Sequence, residues 1–321
     1  MNSNSTVLIE RLKNKDQRAL ARLISMIEND HPDKLTIMSE IYHQSNNTHY
    51  IGITGAPGAG KSSLVNQLIH TLRQKNKTVA VVAVDPTSPF SGGAILGDRT
   101  RMYKHFSDDG VFIRSMATRG SLGGLARATK DAVRVCGAFG FDVVFIETVG
   151  VGQSELDVMK IADTTVVVLT PNSGDVLQIF KAGIMEIADL FVINKADLQG
   201  VQRLKNQLSE FIHITATDEW IFPIIETIST EGKGIEELWE AIQKHKKTTH
   251  KKLYQREHEI YELIREELLK EVQQMIEQDP TKQLALQQEQ SDPYKLAKQW
   301  VKEWTEGRKP PNDPGKGSEH D

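Results

Sequence analysis

The 321-residue chain has one cysteine, Cys136, so no internal disulfide can form and no cysteine-rich metal site exists. A reducing compartment suits that composition. No apolar run approaches the ~18 residues that a membrane helix needs. Aromatics are 6% of the chain, and the net charge of −4 gives no global attraction to nucleic acid or an anionic membrane. The first residues, Met1-Asn2-Ser3-Asn4-Ser5-Thr6, lack the basic-then-apolar layout of a secretory leader. The expectation is a cytoplasmic protein. What remains is ordinary globular composition, 39% apolar and 26% charged, enough for one large core with appendages.

Against that background residues 55–62 stand out: Gly55-Ala56-Pro57-Gly58-Ala59-Gly60-Lys61-Ser62, followed by Ser63. This is G-x-x-x-x-G-K-[ST], the P-loop. Tyr50–Thr54 before it reads as a strand, and Leu64, Leu68 and Ile69 after it have helical spacing. Strand, glycine loop and helix form the context the motif requires. Loop N–H groups and the positive helix end can cradle phosphates. Lys61 would reach the β- and γ-phosphates, and the Ser62 hydroxyl would bind Mg²⁺.

Apolar runs alternate with helical stretches across 48–247: Tyr50–Thr54, Thr78–Val84, Val111–Arg114, Phe141–Ile146, Thr165–Leu169, Leu190–Ile193 and Trp220–Ile225. Continuous runs such as Val79–Val84 suit strands buried on both faces. The alternation predicts an α/β fold, a doubly wound and mostly parallel sheet. Residues 1–47 form an N-terminal helical extension. Within it, 7–29 carry an amphipathic pattern from Leu8 to Ile27, which predicts a helical layer on the main domain. Residues 248–304 form a C-terminal helical arm, striped from Ile260 to Ile276; Pro280 stops that helix and Asp292-Pro293 starts another. The stripe must be buried on its own domain or on a second subunit. Residues 305–321 are expected to be disordered.

Asn194-Lys195-Ala196-Asp197 follows a strand. In this N-K-x-D pattern the Asp197 carboxylate can accept from guanine N1–H and the 2-amino group, donors that adenine lacks there. The Lys195 stem can lie across the base, and Asn194 can tie the loop to the P-loop. Ser229-Thr230-Glu231 precedes a helix and can approach guanine O6. Glu147-Thr148-Val149-Gly150 ends the fourth apolar run as E-x-x-G, where common GTPases have D-x-x-G. Glu147 can serve Mg²⁺ directly or through water, with Gly150 at the γ-phosphate. Asp142 lies at the other end of that strand, where a strand cap is the better reading. The loop after Val84 offers two more carboxylates, Asp85 and Asp98, and could order with GTP.

Together these segments resemble the MeaB/ArgK group of P-loop GTPases, whose human member is the methylmalonic aciduria type A protein. The carriers are 55–63, Asp85-Pro86-Thr87-Ser88, 96–102, 115–125, 147–155 and 194–197, and the resemblance spans about 15–247. It implies GTP/GDP and Mg²⁺ as cofactors, and a GTP-hydrolysing chaperone that gates cofactor loading of an adenosylcobalamin-dependent acyl-CoA mutase and protects it. It further implies metal positions at Ser62, Asp85, Asp98 and Glu147, a mobile relay over 178–186 containing Lys181, and a homodimer through the C-terminal arm. Lys61, Asp98, Glu147 and Lys181 are then the candidate catalytic residues. The chain departs from the group in the 229–232 loop, which is a residue shorter, and after 248, where the match is loose. Val151 follows Gly150 where small signalling GTPases carry the water-orienting glutamine, and Gln153 comes two residues later. This predicts slow intrinsic hydrolysis accelerated by a partner. Two other classes fit less well. A nickel or cobalt metallochaperone GTPase would show cysteine and histidine clusters, and this chain has none at ligand spacing. A small-molecule or transport-protein kinase conflicts with N-K-A-D.

Overall fold

The computed structural model describes residues 3–45, 47–85, 102, 104–105, 107–117, 124–148, 161–171, 187–215, 221–248, 252–288 and 291–307. It divides into two compact units, 1–250 and 251–321. Among the described residues no helix is long and apolar enough to cross a membrane.

The first unit is built on seven strands: β1 (His49–Gly55), β2 (Val79–Asp85), β3 (Val111–Ala117), β4 (Val143–Thr148), β5 (Thr164–Leu169), β6 (Leu190–Asn194) and β7 (Ile224–Thr227). They form one sheet in the order β3-β2-β4-β1-β5-β6-β7, every neighbour parallel. Residues of β4, β5 and β6 are buried throughout, as expected of central strands covered on both faces. The helices are α1 (Ser3–Lys13), α2 (Gln17–Glu28), α3 (Lys34–Ile41), α4 (Lys61–Gln74), α5 (Gly124–Phe139), α6 (Val201–Thr215) and α7 (Ile235–Thr248). The architecture is the doubly wound α/β fold that the alternating pattern predicts.

Side-chain alternation sorts the core into layers. Ala80, Val82, Val84, Val144 and Ile146 pack with α1, α2, α3 and α5. The intervening Ile51, Ile53, Val79, Val81 and Phe145 pack with α4 and α7, and Val167, Leu169, Phe191 and Ile193 with α6. The N-terminal helices thus cover one face of the sheet. The 7–29 pattern is not one helix, however. Lys15 takes a left-handed φ of +63°, and Asp16 caps α2 through the N–H groups of Arg18 and Ala19. Asp142 is the cap that its place at the strand start suggests: its carboxylate accepts from Thr78 N–H at 2.8 Å and Thr78 Oγ1 at 2.9 Å, joining the starts of β2 and β4. β7 starts later than its apolar run, because Pro223 has no N–H for the ladder.

In the second unit α8 (Lys252–Glu277), α9 (Pro280–Gln287) and α10 (Pro293–Glu306) follow one another. Pro280 opens a helix rather than only ending one. Asp279 caps it through the N–H groups of Thr281 and Lys282, and proline fits the first turn, where its missing donor is not needed. Lys282 pairs with Asp279 at 2.7 Å and Glu303 at 3.0 Å, tying α9 to α10. Trp300 is buried, while Ile260, Ile264, Leu268 and Leu269 are exposed.

The amino edge of the sheet holds a buried polar chain. His245 Nε2 lies 3.3 Å from Asp189 Oδ1. Its Nδ1 is 2.9 Å from Thr164 Oγ1, which is 3.0 Å from His49 Nε2. With neutral imidazoles every partner is matched: His49 donates to Thr164, Thr164 to His245, and His245 to Asp189. Burial, with Lys246 and His245 nearby, pushes the His49 pKa down from 6.5 to about 3. The native state therefore refuses a proton that the unfolded chain accepts below pH 6.5. Stability from this group is complete above pH 6.5 and declines as pH falls toward 3. Urea unfolding at pH 7 and pH 5 should show the wild type losing about 2 kcal/mol more than His49→Gln over that interval. Equal losses would remove His49 as the acid-sensitive group.

Candidate nucleotide-binding site

All strands run the same way, so the ends of β1, β2, β4, β6 and β7 share one edge, where doubly wound sheets bind ligands. The P-loop leaves β1, with β4 on one side and β5 on the other. Gly55 takes φ +140°, and a Cβ there would meet Val168 O at 2.1 Å. Gly60 takes φ +89° at the N-cap of α4, and its Cβ would meet Asn194 Nδ2 at 2.3 Å. Neither position tolerates a side chain. Ala56, Pro57, Gly58 and Ala59 complete the turn, and Ser63 lies in the first turn of α4. The Lys61 ammonium folds over the loop, 2.8 Å from Gly55 O and 3.0 Å from Ala56 O.

Beneath the loop, the Ser62 hydroxyl donates to Glu147 Oε1 at 2.5 Å, and both residues are buried. Glu147 is placed by register, opposite Ile53 of β1 and Ala83 of β2. Thr148 Oγ1 and Thr54 Oγ1, 3.0 Å apart, join the ends of β4 and β1. Asp85 is the last residue of β2. The Ser62 hydroxyl and the buried Glu147 carboxylate are hard oxygen donors of the kind Mg²⁺ prefers. Asp98, Gly150 and Lys181 lie outside the described residues.

The base side is organised by Asn194 at the end of β6. Its Nδ2 donates to Ala59 O at 2.9 Å. Its Oδ1 accepts from Thr227 Oγ1 at 3.1 Å, Ser229 N–H at 3.2 Å and Ser229 Oγ at 2.8 Å. Both Ser229 donors thus turn to Asn194. Lys195 adopts φ +57°, which swings its stem across the P-loop so that Nζ meets Gly58 O at 3.0 Å. Asp197 follows with its carboxylate exposed. An Ile228–Lys233 bridge clasps the loop that holds Thr230 and Glu231. Thr227 is a site residue that the motifs do not name. Its signal is positional, a hydroxyl at the end of β7 in register with Asn194.

Asp197 lies on a loop that Asn194 and Lys195 tie to the P-loop. Fold and site together are those of a P-loop GTPase. Within that class, residues 20–280 match the family described as methylmalonyl-CoA mutase-associated GTPase MeaB, and the chain belongs to that family. A Pyrococcus horikoshii protein named as a GTPase is 54% identical over 244 residues, covering 75% of this chain and 77% of that one. The GTPase ArgK of Escherichia coli is 38% identical over 243 residues, 73% of each chain. The mouse protein named methylmalonic aciduria type A homolog, mitochondrial, is 36% identical over 249 residues, 71% of this chain and 60% of that one. A crystal structure described as LAO/AO transport system kinase superposes with TM-score 0.66 at 26% identity, covering 95% of this chain and 99% of that one.

Asn194→Ala would strand buried hydroxyls on Thr227 and Ser229 and cut the link to Ala59. Urea unfolding should register a loss of about 1–3 kcal/mol, and titration with a fluorescent GDP analogue should show affinity reduced about tenfold or more. Unchanged affinity in a folded variant would separate this amide from nucleotide binding.

Proposed function

We propose that this GTPase is the nucleotide-driven chaperone of an adenosylcobalamin-dependent acyl-CoA mutase of methylmalonyl-CoA or isobutyryl-CoA type. In this role it gates cofactor loading and protects the mutase in the cytoplasm. The observation that carries the reading is the family match across 20–280, under a description that itself names association with methylmalonyl-CoA mutase. The mouse relative's name points the same way. The buried Cys136, its thiol pushed up to about 12 by burial, suits a reducing compartment.

In this reading, backbone N–H groups of the 55–60 loop, Pro57 excepted, and the Lys61 ammonium hold the β- and γ-phosphates. Ser62, Glu147, Asp85 and Asp98 would hold Mg²⁺, which neutralises charge on the phosphate oxygens when bound. Asn194, Lys195 and Asp197 fix the guanine, with the 229–231 loop beside it. Water attacks the γ-phosphorus, the bond to the β-phosphate oxygen breaks, and GDP and phosphate leave. Val151 supplies no group to orient that water. Turnover is therefore slow until the client mutase orders the relay over 178–186.

Two measurements test this reading. Steady-state GTP hydrolysis should rise on adding the mutase, by less than the 10³–10⁵ that partner-supplied groups give elsewhere. Lys181→Ala should keep GTP binding and lose most of the rise; equal stimulation of both proteins would discard the relay. The stripe on α8 is also proposed as a dimer contact, since Ile260, Ile264, Leu268 and Leu269 stay exposed within their own unit. Light scattering should give a dimer for the full chain and a folded monomer for residues 1–250. A full-length monomer would rule out that contact.

A further inference from the structure

The two strands that carry the phosphate loop and the buried carboxylate diverge at the site. The β1–β4 ladder ends with Ile53 opposite Glu147. Beyond that pair β1 stays with β5 as far as Gly55 opposite Val168, and β4 stays with β2 as far as Val84 opposite Thr148. One residue past the last ladder pair, Thr148 Oγ1 donates to Thr54 Oγ1 at 3.0 Å. Both threonines are 0% exposed. A side-chain hydrogen bond thus takes over where the backbone ladder stops. It joins the residue before Gly55 to the residue after Glu147.

Alternation puts this contact on the opposite side of the sheet from the Ser62–Glu147 contact. Phe145 packs with α4, and Glu147 shares its face. Val144 and Ile146 pack with the N-terminal helices, and Thr148 falls on their face. The end of β4 is therefore held from both sides. On the α4 side the holding group is the carboxylate itself, which accepts from Ser62 Oγ at 2.5 Å. Coordination of a cation would draw on those same two oxygens, so that bond is not an independent support. The threonine pair uses neither oxygen and stands outside the exchange. We propose that Thr148, bonded to Thr54, is a positioning residue for the Mg²⁺ site. It holds the end of β4 against the P-loop so that the Glu147 carboxylate is aimed at the Ser62 hydroxyl. This rests on reading Ser62 and Glu147 as metal residues of the GTPase.

The test is the affinity of a fluorescent GDP analogue for wild type, Thr148→Val, Thr148→Ser, Thr54→Val and the Thr54→Val/Thr148→Val double variant, each with Mg²⁺ and with EDTA. Valine keeps the branched shape and lacks the hydroxyl. Mg²⁺ should tighten binding by the wild type. In either single valine variant that gain should shrink about three- to tenfold, below the roughly 10–100-fold typical of groups bonded directly to a metal ligand. Affinity in EDTA should stay at the wild-type value. Thr148→Ser should keep the gain. The double variant should lose no more than either single, because the two changes remove one bond. With apolar groups on both sides it also carries the test if a single valine variant unfolds. Affinities that fall equally with and without Mg²⁺ would mark a purely structural role and overturn the proposal, as would an undiminished gain in Thr148→Val. Glu147→Gln checks the metal assignment separately. A gain lost there but kept in Thr148→Val upholds that assignment and overturns the proposal alone, whereas no Mg²⁺ gain in the wild type overturns both.

Discussion

One carboxamide joins what the chain keeps far apart. Asn194 ends β6, yet it bonds to a carbonyl 135 residues earlier and to a loop 35 residues later. Only a planar amide offers a donor on one side and a two-lone-pair acceptor on the other. Here the donor holds Ala59 and the acceptor gathers Thr227 and Ser229. The group is 2% exposed, so water does not readily replace these partners. Other features of the site follow from this contact. Gly60 must lack a Cβ because the amide occupies that space. Lys195, the next residue, turns left-handed and lands on Gly58. Asp197 comes after that turn, at a fixed distance along the chain from the phosphate loop. The P-loop and the loops after β6 and β7 are therefore tied together by the protein's own hydrogen bonds.

The sheet makes that contact possible. Parallel strands need crossover helices, which cover both faces and favour apolar residues along the middle of the central strands. The polar groups are left for the edges, and the two edges differ. At the amino edge, His49, Thr164, His245 and Asp189 saturate one another in a buried chain. At the carboxyl edge, Lys61, Ser62 and Glu147 are charged or polar groups that also suit phosphate and a hard cation. One end of the domain is chemically closed, and the other is chemically able to receive a ligand.

The same division decides which elements are legible in the amino-acid sequence. The strands are legible because burial on both faces writes a continuous apolar run, and the P-loop and N-K-A-D because their chemistry needs contiguous residues. Partners joined by register are not. Nothing local marks Thr227 as the companion of Asn194; the parallel pairing of β6 and β7 does. Ser229 reads as a group for the base, but its N–H and hydroxyl both serve Asn194. The break between α1 and α2 is hidden for a different reason. Apolar positions on both sides face the same core, so the periodicity carries through a turn that only the φ of Lys15 and the cap at Asp16 disclose. Pro280 is ambiguous by nature, since proline ends one helix and suits the first turn of the next.

The placement of the groups also separates binding from turnover. Lys61 and Ser62 start a helix and Asn194 ends a strand, and Ser62 and Asn194 are held by hydrogen bonds to residues 85 and 135 positions away in the chain. Asp98, Val151 and Lys181 are carried by the segments that follow β2, β4 and β5 in the chain. A group that contacts the nucleotide equally in the ground state and the transition state tightens binding without speeding chemistry. Acceleration has to come from groups whose contact improves as the γ-phosphate leaves. In a domain whose glutamine position is a valine, the segments after β2, β4 and β5 are where such groups can be supplied. In the proposed reading, nucleotide affinity and response to a partner are set by different residues.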